Sequence, residues 1–267
     1  MARLPCIRRS LLARTENANI NLCAIVPVYR HESASRAVVE KLASYELPVI
    51  LVDDGNTPEG HEILEQIANE IPKVQLVTNK VNLGKGGAVR SGMIAAVDAG
   101  FTHALQVDAD GQHDMDAIPF FVKAAKKHSD DLIGGFPQYD DSVPKSRESG
   151  RKITNFWVAV ETLSREIPDA MCGFRVYPLA TSLPAAKKFR NNRMGFDIEI
   201  LVRLSWAGVK LRFYPIKVSY PKDGVSNFRL FHDNVAISFT HTKLCLGMLV
   251  RSPLILARRI FKNNVGS

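Results

Sequence analysis

The sequence predicts one α/β domain with a mainly parallel sheet flanked by helices, followed by an amphipathic helical tail. Three observations lead to this fold class. Short apolar runs alternate with segments of helical spacing, polar loops rich in Asp and Gly follow two of those runs, and 267 residues are enough to bury a large core. Charged residues make up 23% of the chain and hydrophobic residues 46%, which excludes a disordered or fibrous protein.

Strand and helix patterns alternate through the first half of the chain. Short apolar runs bounded by loop signals predict five buried strands, at residues 22–28, 48–52, 74–77, 104–107 and 131–135. Apolar residues at helical spacing predict the helices between them, at residues 34–44, 59–70, 84–99 and 115–127. Such alternation is typical of a parallel sheet covered by helices.

The second half continues the domain and ends in a different kind of segment. Strands are predicted at residues 172–177 and 211–220, and helices at 153–165, 181–189 and 196–207. Residues 136–150 and 221–227 are polar and predict mobile loops that close over a ligand. From residue 230 the chain is apolar and basic, and it predicts two helices broken at Pro253. The predicted organisation is a basic N-terminal segment (1–19), the α/β domain (20–229) and the tail (230–267).

The net charge of +8 is concentrated at the two ends of the chain. Residues 1–14 contain four Arg and no acid, and the residues after Asp233 contain five Lys or Arg and no acid. The body therefore holds 26 of the 35 basic residues and all 27 acids, a net charge of −1. A nucleic-acid-binding protein carries cations on its folded body as well, so no nucleic acid is expected as a partner. Basic, apolar ends favour an anionic membrane surface as a partner, and the alternative is that they are solubilising ends.

Neither a membrane-spanning helix nor a secretory signal is predicted. No apolar run approaches the roughly 18 residues needed to cross a bilayer. The apolar stretches near the N-terminus are interrupted by Arg8 and Arg9, although an Arg-rich, acid-poor start is also typical of organellar transit peptides. The four Cys residues show no CxxC spacing and fit a reducing cytosol. We therefore expect a cytoplasmic protein that lies peripherally on the cytoplasmic face of a membrane.

Polar residues that follow three of the predicted strands are the candidates for a binding site. Ligands of open α/β sheets bind at the carboxyl ends of the strands. These ends carry the sequences PVY, DDG and DADGQH, which begin at Pro27, Asp53 and Asp108. Acids on neighbouring strand ends repel each other unless a cation or a donor-rich ligand compensates them.

The segment DADGQHD, residues 108–114, predicts a metal site. Asp108 and Asp110 point the same way if the segment is extended, and Gln112 continues the same spacing. Oxygen ligands from so short a stretch suit Mg²⁺ or Mn²⁺ together with the phosphates of a ligand. The alternative is that Asp110 caps the helix that begins near Met115, but capping needs one acid rather than three.

The other strand ends suit a nucleotide. Asp53 and Asp54 are candidates to accept hydrogen bonds from a base imide or a ribose hydroxyl, and their alternative role is to form a turn. Tyr29 either stacks on a base or packs against the sheet edge. Residues 82–92 form a glycine-rich turn into a helix, which would bring Lys85 close to a diphosphate. This turn fits neither the P-loop nor the dinucleotide-binding pattern.

Together, these motifs resemble those of family-2 glycosyltransferases. The segments PVYR, VDDGN, NLGKGGAVRSGM, VDADGQHD, CGFRVYP and MGFDIEIL occur in the order seen in that family, over roughly residues 20–228. They are most similar to the branch that contains dolichyl-phosphate mannose synthase and bacterial polyprenyl-phosphate glycosyltransferases. Two features depart from that branch: Arg30 replaces the usual Asn, and the multispan membrane domain of some relatives is replaced by the short basic tail.

The resemblance implies the GT-A fold and an enzyme that transfers a sugar, with inversion, from a nucleoside-diphosphate-sugar donor. The residues implied at the nucleotide are Pro27, Tyr29, Asp53, Asp54, Lys85 and Asp108. The residues implied at the Mn²⁺ or Mg²⁺ ion are Asp108, Asp110 and Gln112. The implied acceptor is a lipid or a lipid-linked molecule at the membrane surface.

The acceptor side of the site is implied by two further segments. Residues 169–175, beginning with Asp169, match a motif that lies near the acceptor in the branch, and Asp197 lies where many members have their catalytic base. The alternative for Asp197 is that acids are favoured in the first turn of a helix. A hydroxyl acceptor needs a carboxylate base. A lipid phosphate is already ionised, and arginines would hold it. The arginine candidates are Arg147, Arg151 and Arg175, and the catalytic candidates are Asp197, Asp110 and Arg175.

Two other classes of function remain open on the sequence alone. A sugar-1-phosphate nucleotidyltransferase also combines an α/β nucleotide fold with a metal ion, but it would carry a glycine-rich loop where this chain has PVYRHE. A non-enzymatic module that binds membrane or nucleic acid through the basic ends is the second alternative. Arg147 and Arg151 also suit a solvated helix face without any ligand.

Overall fold

The computed structural model of the chain describes residues 19–139, 145–189, 191–219 and 230–263. Within these residues a seven-stranded sheet is built from β1 (Leu22–Val28), β2 (Val49–Asp53), β3 (Val74–Thr78), β4 (His103–Gln106), β5 (Leu132–Tyr139), β6 (Arg175–Pro178) and β7 (Leu211–Val218). Its helices are α1 (Glu32–Ser44), α2 (Pro58–Glu70), α3 (Lys85–Asp98), α4 (Ile118–Lys127), α5 (Lys145–Thr162), α6 (Leu179–Lys187), α7 (Gly195–Ala207) and α8 (Leu230–Asn263). A short 3-10 turn, Met115–Ala117, precedes α4.

The sheet has the strand order β3-β2-β1-β4-β6-β5-β7, and neighbours are parallel except at β6. Strand β6 runs antiparallel to both β4 and β5. The carboxyl ends of β1, β2 and β4 therefore share one edge of the sheet with the amino end of β6, where Gln106 pairs with Arg175. The predicted fold class, a mainly parallel sheet flanked by helices and followed by a C-terminal helix, is confirmed.

Apolar side chains from alternating strand positions form a core on each face of the sheet. In β1, Ile25 belongs to the core shared with α3 and with α5 to α8, whereas Ala24 and Val26 belong to the core under α1, α2 and α4. A Cβ on Gly92 of α3 would come within 2.5 Å of Ile25 Cγ2. Glycine therefore lets α3 lie close against the sheet, with its first turn at the acidic edge.

The predicted loop over residues 136–150 is shorter than the sequence indicates. Strand β5 extends to Tyr139 because it pairs with β7 along its whole length, and α5 begins at Lys145 because its polar first turns consist largely of good helix formers. The prediction of a loop over residues 136–150 is thus wrong at both ends. Residues 140–144, the predicted loop 221–227 and the basic residues 1–14 lie outside the described part of the chain.

The prediction that Pro253 breaks the tail into two helices is wrong, because α8 is continuous from Leu230 to Asn263. Proline has no amide hydrogen to donate to the carbonyl four residues earlier, which here belongs to Leu249. The hydroxyl of Ser252 donates to the Leu249 oxygen at 2.9 Å instead. A neighbouring side chain thus satisfies the carbonyl that proline leaves without its helical partner.

Helix α8 packs on the domain through α5 and α7. Its Ile237, Leu244 and Met248 are buried in the core. Polar contacts add to this: His241 Nδ1 lies 2.7 Å from Glu161 Oε1 of α5, and Lys243 Nζ lies 3.1 Å from Glu199 Oε2 of α7. Among the helices in the described residues, none combines the length and apolar character that crossing a bilayer requires.

Candidate active site

Three separate segments bring two carboxylates and one ammonium group together at the carboxyl edge of the sheet. Lys85 is the first residue of α3, Asp108 follows β4, and Asp197 lies in the first turn of α7. The Lys85 Nζ atom lies 2.9 Å from Asp108 Oδ2 and 3.0 Å from Asp197 Oδ2. Burial opposes the charge on Lys85, but the two carboxylates hold its pKa above the usual lysine value. The Lys85 ammonium thus pairs with two carboxylates whose residues lie 89 positions apart in the sequence.

Arg175 fixes the other side of Asp197. Its Nη1 donates to the Asp197 main-chain oxygen at 2.8 Å and lies 3.5 Å from Asp197 Oδ1, and its Nη2 donates to the Ala170 oxygen at 2.9 Å. The Arg175 side chain has no exposed surface. Arg175 therefore positions Asp197 in this conformation, and direct contact with an acceptor stays a prediction.

Asp108 and Asp110 keep acceptor capacity that the protein does not saturate. Asp108 Oδ1 is buried 2.9 Å from Lys85 Nζ but receives no hydrogen bond of good geometry. The hydrogen bond described for Asp110 comes from the Gln112 amide to Oδ1 at 3.1 Å. Burial, together with the charge of Asp108, raises the pKa of Asp110, whereas Lys85 overcomes burial and lowers the pKa of Asp108.

This donor set fits a divalent cation that completes its coordination elsewhere. Within the described residues, no three or more His, Cys, Asp and Glu side chains are arranged to hold a metal ion. Mg²⁺ and related ions are commonly bound by one or two carboxylates plus substrate phosphates and water. Asp108, Asp110 and Gln112 therefore suit Mn²⁺ or Mg²⁺ carried with a diphosphate, and their ligation stays a prediction.

Gly173 borders the same charges from the segment that leads into β6. A Cβ at this position would lie 2.7 and 2.8 Å from the two carboxylate oxygens of Asp108, and 2.8 Å from Lys85 Nζ. Carbon atoms do not approach polar atoms so closely, so a side chain here would push the ion pair apart. The absence of a side chain at Gly173 is a condition for the Lys85–Asp108 contact.

Asp53 and Asp54 are buried, and hydrogen bonds hold them to the residues that follow β2 and to the loop after β3. Asp53 Oδ1 accepts from the amide and the side chain of Asn56, at 2.9 and 2.8 Å, and Oδ2 lies 2.7 Å from His61 Nδ1. Asp54 accepts from the amides of Leu83 and Gly84 and from the side chains of Asn79 and Asn82. Burial raises the pKa of Asp54 despite these bonds. Both acids shape the loops at this edge, and their contact with a nucleoside stays a prediction.

The end of β1 presents Pro27 and Tyr29, both half-buried, and the exposed Arg30. The Arg30 guanidinium carbon lies 5.1 Å from the centroid of the Tyr29 ring. Arg30 has a φ of +59°, in the left-handed region, and its amide donates to Asn56 Oδ1 at 2.9 Å. The turn thus places Tyr29 and Arg30 beside the loop of Asp53, and the contact of Tyr29 with a nucleoside stays a prediction.

The predicted acceptor residues are only partly brought together. Arg151 Nη1 lies 2.9 and 2.8 Å from the two carboxylate oxygens of Asp169. Asp169 also accepts from the amides of Met171 and Cys172, so it shapes the segment before β6. The Arg147 side chain lies outside the described residues.

Comparison with protein families identifies the family to which the chain belongs. Residues 23–180 match the family described as glycosyl transferase family 2, and this match covers more than half of the chain. The chain belongs to glycosyl transferase family 2. The matched range contains β1, β2, β4 and the segment before β6, which carry most of the candidate site, and the predicted resemblance is confirmed.

The names of two proteins similar to this chain contain the lipid phosphate dolichyl phosphate. The chain is 26% identical to a dolichyl-phosphate beta-glucosyltransferase of Dictyostelium discoideum, over 68% of this chain and 62% of that protein. It is 24% identical to a UDP-N-acetylglucosamine--dolichyl-phosphate N-acetylglucosaminyltransferase of Methanococcus voltae, over 73% of this chain and 84% of that protein. The chain therefore spans less than two thirds of the length of the first of these relatives.

A solved structure supports the fold assignment. Glucosyl-3-phosphoglycerate synthase of Mycobacterium tuberculosis, in complex with Mn²⁺, UDP and glucosyl-3-phosphoglycerate, superimposes with a TM-score of 0.63. The alignment covers 85% of this chain and 80% of that protein at 12% identity. At this identity the likeness shows the GT-A fold of the family and nothing about substrates.

Sequence reasoning missed several residues that build this family-2 site. Gln106 Nε2 lies 3.5 Å from Asp197 Oδ1 and accepts at Oε1 from the Tyr177 hydroxyl at 3.1 Å. His113 Nε2 lies 3.6 Å from Cys172 Sγ and joins the loops after β4 and before β6. Polar residues inside buried strands, such as Gln106 and Tyr177, were an available signal, because a buried polar group needs a partner.

Proposed function

We propose that the chain is an inverting glycosyltransferase that moves a sugar from a nucleoside-diphosphate-sugar donor to a lipid phosphate at a membrane surface. The observation that carries this proposal is the meeting of Asp108, Asp110 and Asp197 with Lys85 and Arg175 at the carboxyl edge of the sheet. Membership of glycosyl transferase family 2 supports transfer of a sugar rather than of a nucleotidyl group. The two dolichyl-phosphate relatives support the lipid phosphate.

The donor half of the mechanism follows from the unsaturated carboxylates. Asp108 and Asp110, with Gln112, would hold Mn²⁺ or Mg²⁺ at the donor diphosphate. The ion supplies positive charge where the diphosphate leaving group gains negative charge. Lys85 lies beside Asp108 and is placed to bind the same diphosphate. Tyr29, Asp53 and Asp54 lie at the neighbouring strand ends and would accommodate the nucleoside.

The acceptor half depends on Asp197. A hydroxyl acceptor must lose a proton during attack, and Asp197 would take it. A phosphate acceptor is already ionised, so Asp197 would then only hold Lys85 and Arg175 in place. Because we propose a phosphate acceptor, we expect Asp197→Asn to retain far more activity than it would if Asp197 were the general base.

The direct test incubates the full chain with Mn²⁺ and polyprenyl phosphate in detergent micelles, using UDP-glucose, UDP-N-acetylglucosamine and GDP-mannose in turn. Mass spectrometry should detect one glycosyl phosphoryl lipid, and proton coupling at C1 should show the inverted anomer. Pyrophosphate release from a nucleoside triphosphate with sugar 1-phosphate, without sugar transfer, would contradict the proposal and support a nucleotidyltransferase. Transfer to a free hydroxyl acceptor alone would contradict the lipid phosphate.

We also propose that α8 contacts an anionic membrane surface at the cytoplasmic side. The face of α8 opposite its buried residues exposes Phe239, Leu246 and Val250, which recur at helical spacing. No acid follows Asp233, whereas five Lys or Arg residues do. An apolar helix face in a segment whose charged residues are nearly all cations is typical of helices that lie in the headgroup region of anionic lipids.

Liposome flotation tests this contact. Replacing Phe239, Leu246 and Val250 together by Ser should reduce binding to vesicles containing anionic phosphatidylglycerol, while the fold is retained because these side chains are exposed. Phe120→Ser is the matched control, since Phe120 is also exposed but lies on α4. Equal flotation of both variants would contradict the contact.

A further inference from the structure

The contacts of Lys85 with two carboxylates indicate a second role besides binding of the donor diphosphate. Its ammonium group contacts both the predicted metal ligand Asp108 and the predicted base Asp197, and its side chain is only 18% exposed. We propose that Lys85 is a charge-exchange residue: it holds the two carboxylates together when the donor is absent, and it leaves them when the donor and its ion bind. This inference rests on the proposed function.

The exchange follows from electrostatics at short range. A divalent ion on Asp108 and Asp110 would put two positive charges close to the Lys85 ammonium, which also sits at Asp108. Arg175 is held in place, because its side chain is buried and donates to the main-chain oxygens of Asp197 and Ala170. Lys85 is the flexible cation of the pair, and the donor diphosphate offers it a new anionic partner.

The end of the Lys85 side chain borders a residue that has no side chain. The position where a Cβ of Gly173 would stand lies 2.8 Å from Lys85 Nζ. The side chain of Lys85 also begins in the first turn of α3, so its backbone need not move when its end does. A methylene stem of four carbons reaches a new partner by rotation about its own bonds.

The exchange has a consequence for Asp197. Its Oδ2 is engaged by Lys85 in the absence of donor, at 3.0 Å, and it becomes available only when Lys85 moves. Asp197 then keeps its contacts with Arg175 while Lys85 binds the donor diphosphate.

The test measures the binding of Mn²⁺ and of UDP or GDP, whichever the wild type binds, by titration calorimetry on Lys85→Met, without any turnover. Removing a competing cation should tighten Mn²⁺ binding about tenfold in the absence of nucleotide. Removing a diphosphate ligand should weaken nucleotide binding about tenfold in the presence of saturating Mn²⁺. Opposite signs in the two titrations are the signature of exchange. Lys243→Met is the matched control, since Lys243 pairs with the buried Glu199 and should change neither titration.

Unchanged or weaker Mn²⁺ binding by Lys85→Met would overturn the inference, whatever happens to the nucleotide, because Lys85 would then act only as a diphosphate ligand or as a structural residue. If Lys85→Met does not fold, the double variant Lys85→Met with Asp197→Asn removes one charge of each sign, and the same tightening of Mn²⁺ binding is expected against Asp197→Asn alone. These titrations do not depend on transfer. The proposed function can therefore fail in the transfer assay while the exchange stands, and the exchange can fail while transfer is observed.

Discussion

Two acidic pairs at neighbouring strand ends look alike in the sequence and differ in the structure. Asp53 and Asp54 follow β2, whereas Asp108 and Asp110 follow β4. The oxygens of the first pair are engaged by groups of the loop after β2, of α2 and of the loop after β3. The second pair is engaged by the Lys85 ammonium, the Gln106 side chain and the Gln112 amide, and Asp108 Oδ1 is left without a hydrogen bond of good geometry. The Asp108–Asp110 pair therefore retains the capacity to bind something else.

The difference teaches that burial and charge do not by themselves mark a functional site. Asp54 is more buried than Asp108, yet the protein itself supplies its hydrogen-bond partners. A site is indicated where acceptors outnumber the fixed donors and where the available cation is a side chain that can move. Substitutions in the Asp108–Asp110 pair should therefore reduce activity, whereas substitutions in the Asp53–Asp54 pair should reduce stability.

The largest effect is expected for Asp110→Ala. Losing a carboxylate that holds the divalent ion should reduce turnover about a thousandfold, roughly 4 kcal/mol of transition-state stabilisation. The measurement is initial rate with saturating Mn²⁺, and thermal unfolding should change little. Asp116→Ala is the control, because Asp116 is an exposed acid that pairs with Lys41. Near wild-type turnover of Asp110→Ala would remove the distinction between the two pairs.

Asp54→Asn should damage stability instead. The amide group of asparagine would place a donor against the amides of Gly84 or Leu83, which now donate to the carboxylate. We expect a loss of about 3 kcal/mol in the free energy of unfolding, measured in urea. The affinity of the folded variant for Mn²⁺ should stay unchanged. A large loss of metal affinity at full stability would show that this pair also belongs to the metal site.

Gly173→Ala tests the packing around the second pair. The added methyl group would displace the carboxylate of Asp108, the predicted metal ligand, and we expect turnover to fall about thirtyfold, roughly 2 kcal/mol. Gly150→Ala is the matched control, because nothing lies within 4 Å of its Cβ and it is helical. That variant should be neutral or slightly more stable. Equal activity of both alanine variants would argue against a tight Lys85–Asp108 contact.

The smallest effect concerns Glu161, a buried acid of α5 that is not one of the candidate site residues. Burial raises its pKa, although His241 opposes the shift. The protonated form is favoured by the fold, so its contribution to stability is present below the usual glutamate pKa and is lost as pH rises through the raised value. Glu161→Gln should therefore gain stability relative to wild type as the pH rises from about 4.5 to about 7.5.

Urea midpoints at the two pH values measure this difference. Glu166→Gln provides the control, because Glu166 is exposed and should show no such trend. The turnover of Glu161→Gln should match that of wild type. A pH-independent difference would mean that Glu161 stays ionised in the folded protein.

The sequence predicts the sheet well where its strands are fully buried. Strand β1 lies at its predicted bounds, residues 22–28, because continuous apolar runs with loop signals leave few alternatives. The prediction is poorer at β5, where the ladder with β7 continues into polar residues up to Tyr139. Pairing with β7 thus extends β5 beyond its apolar pattern. The sequence pattern also missed that α8 is continuous at Pro253, where the Ser252 hydroxyl donates to the Leu249 oxygen.

The candidate residues of the site were predictable, but their partners were not. Strand-end acids and the glycine-rich turn are visible as short motifs, so Asp108, Asp110 and Lys85 stand out. Which donors reach which acids depends on loops that meet only in the folded chain. The saturation of Asp54 by residues 79–84, and the contact of Lys85 with Asp197, both depend on such meetings.

The reversed direction of β6 has a consequence for how the site is assembled. Because β6 runs against β4, the exit from β4 and the approach to β6 face each other at one edge, although 68 positions separate Gln106 from Phe174. The pairing of the two strands therefore fixes the distance between the acids after β4 and the segment before β6, and the long connection between them does not have to.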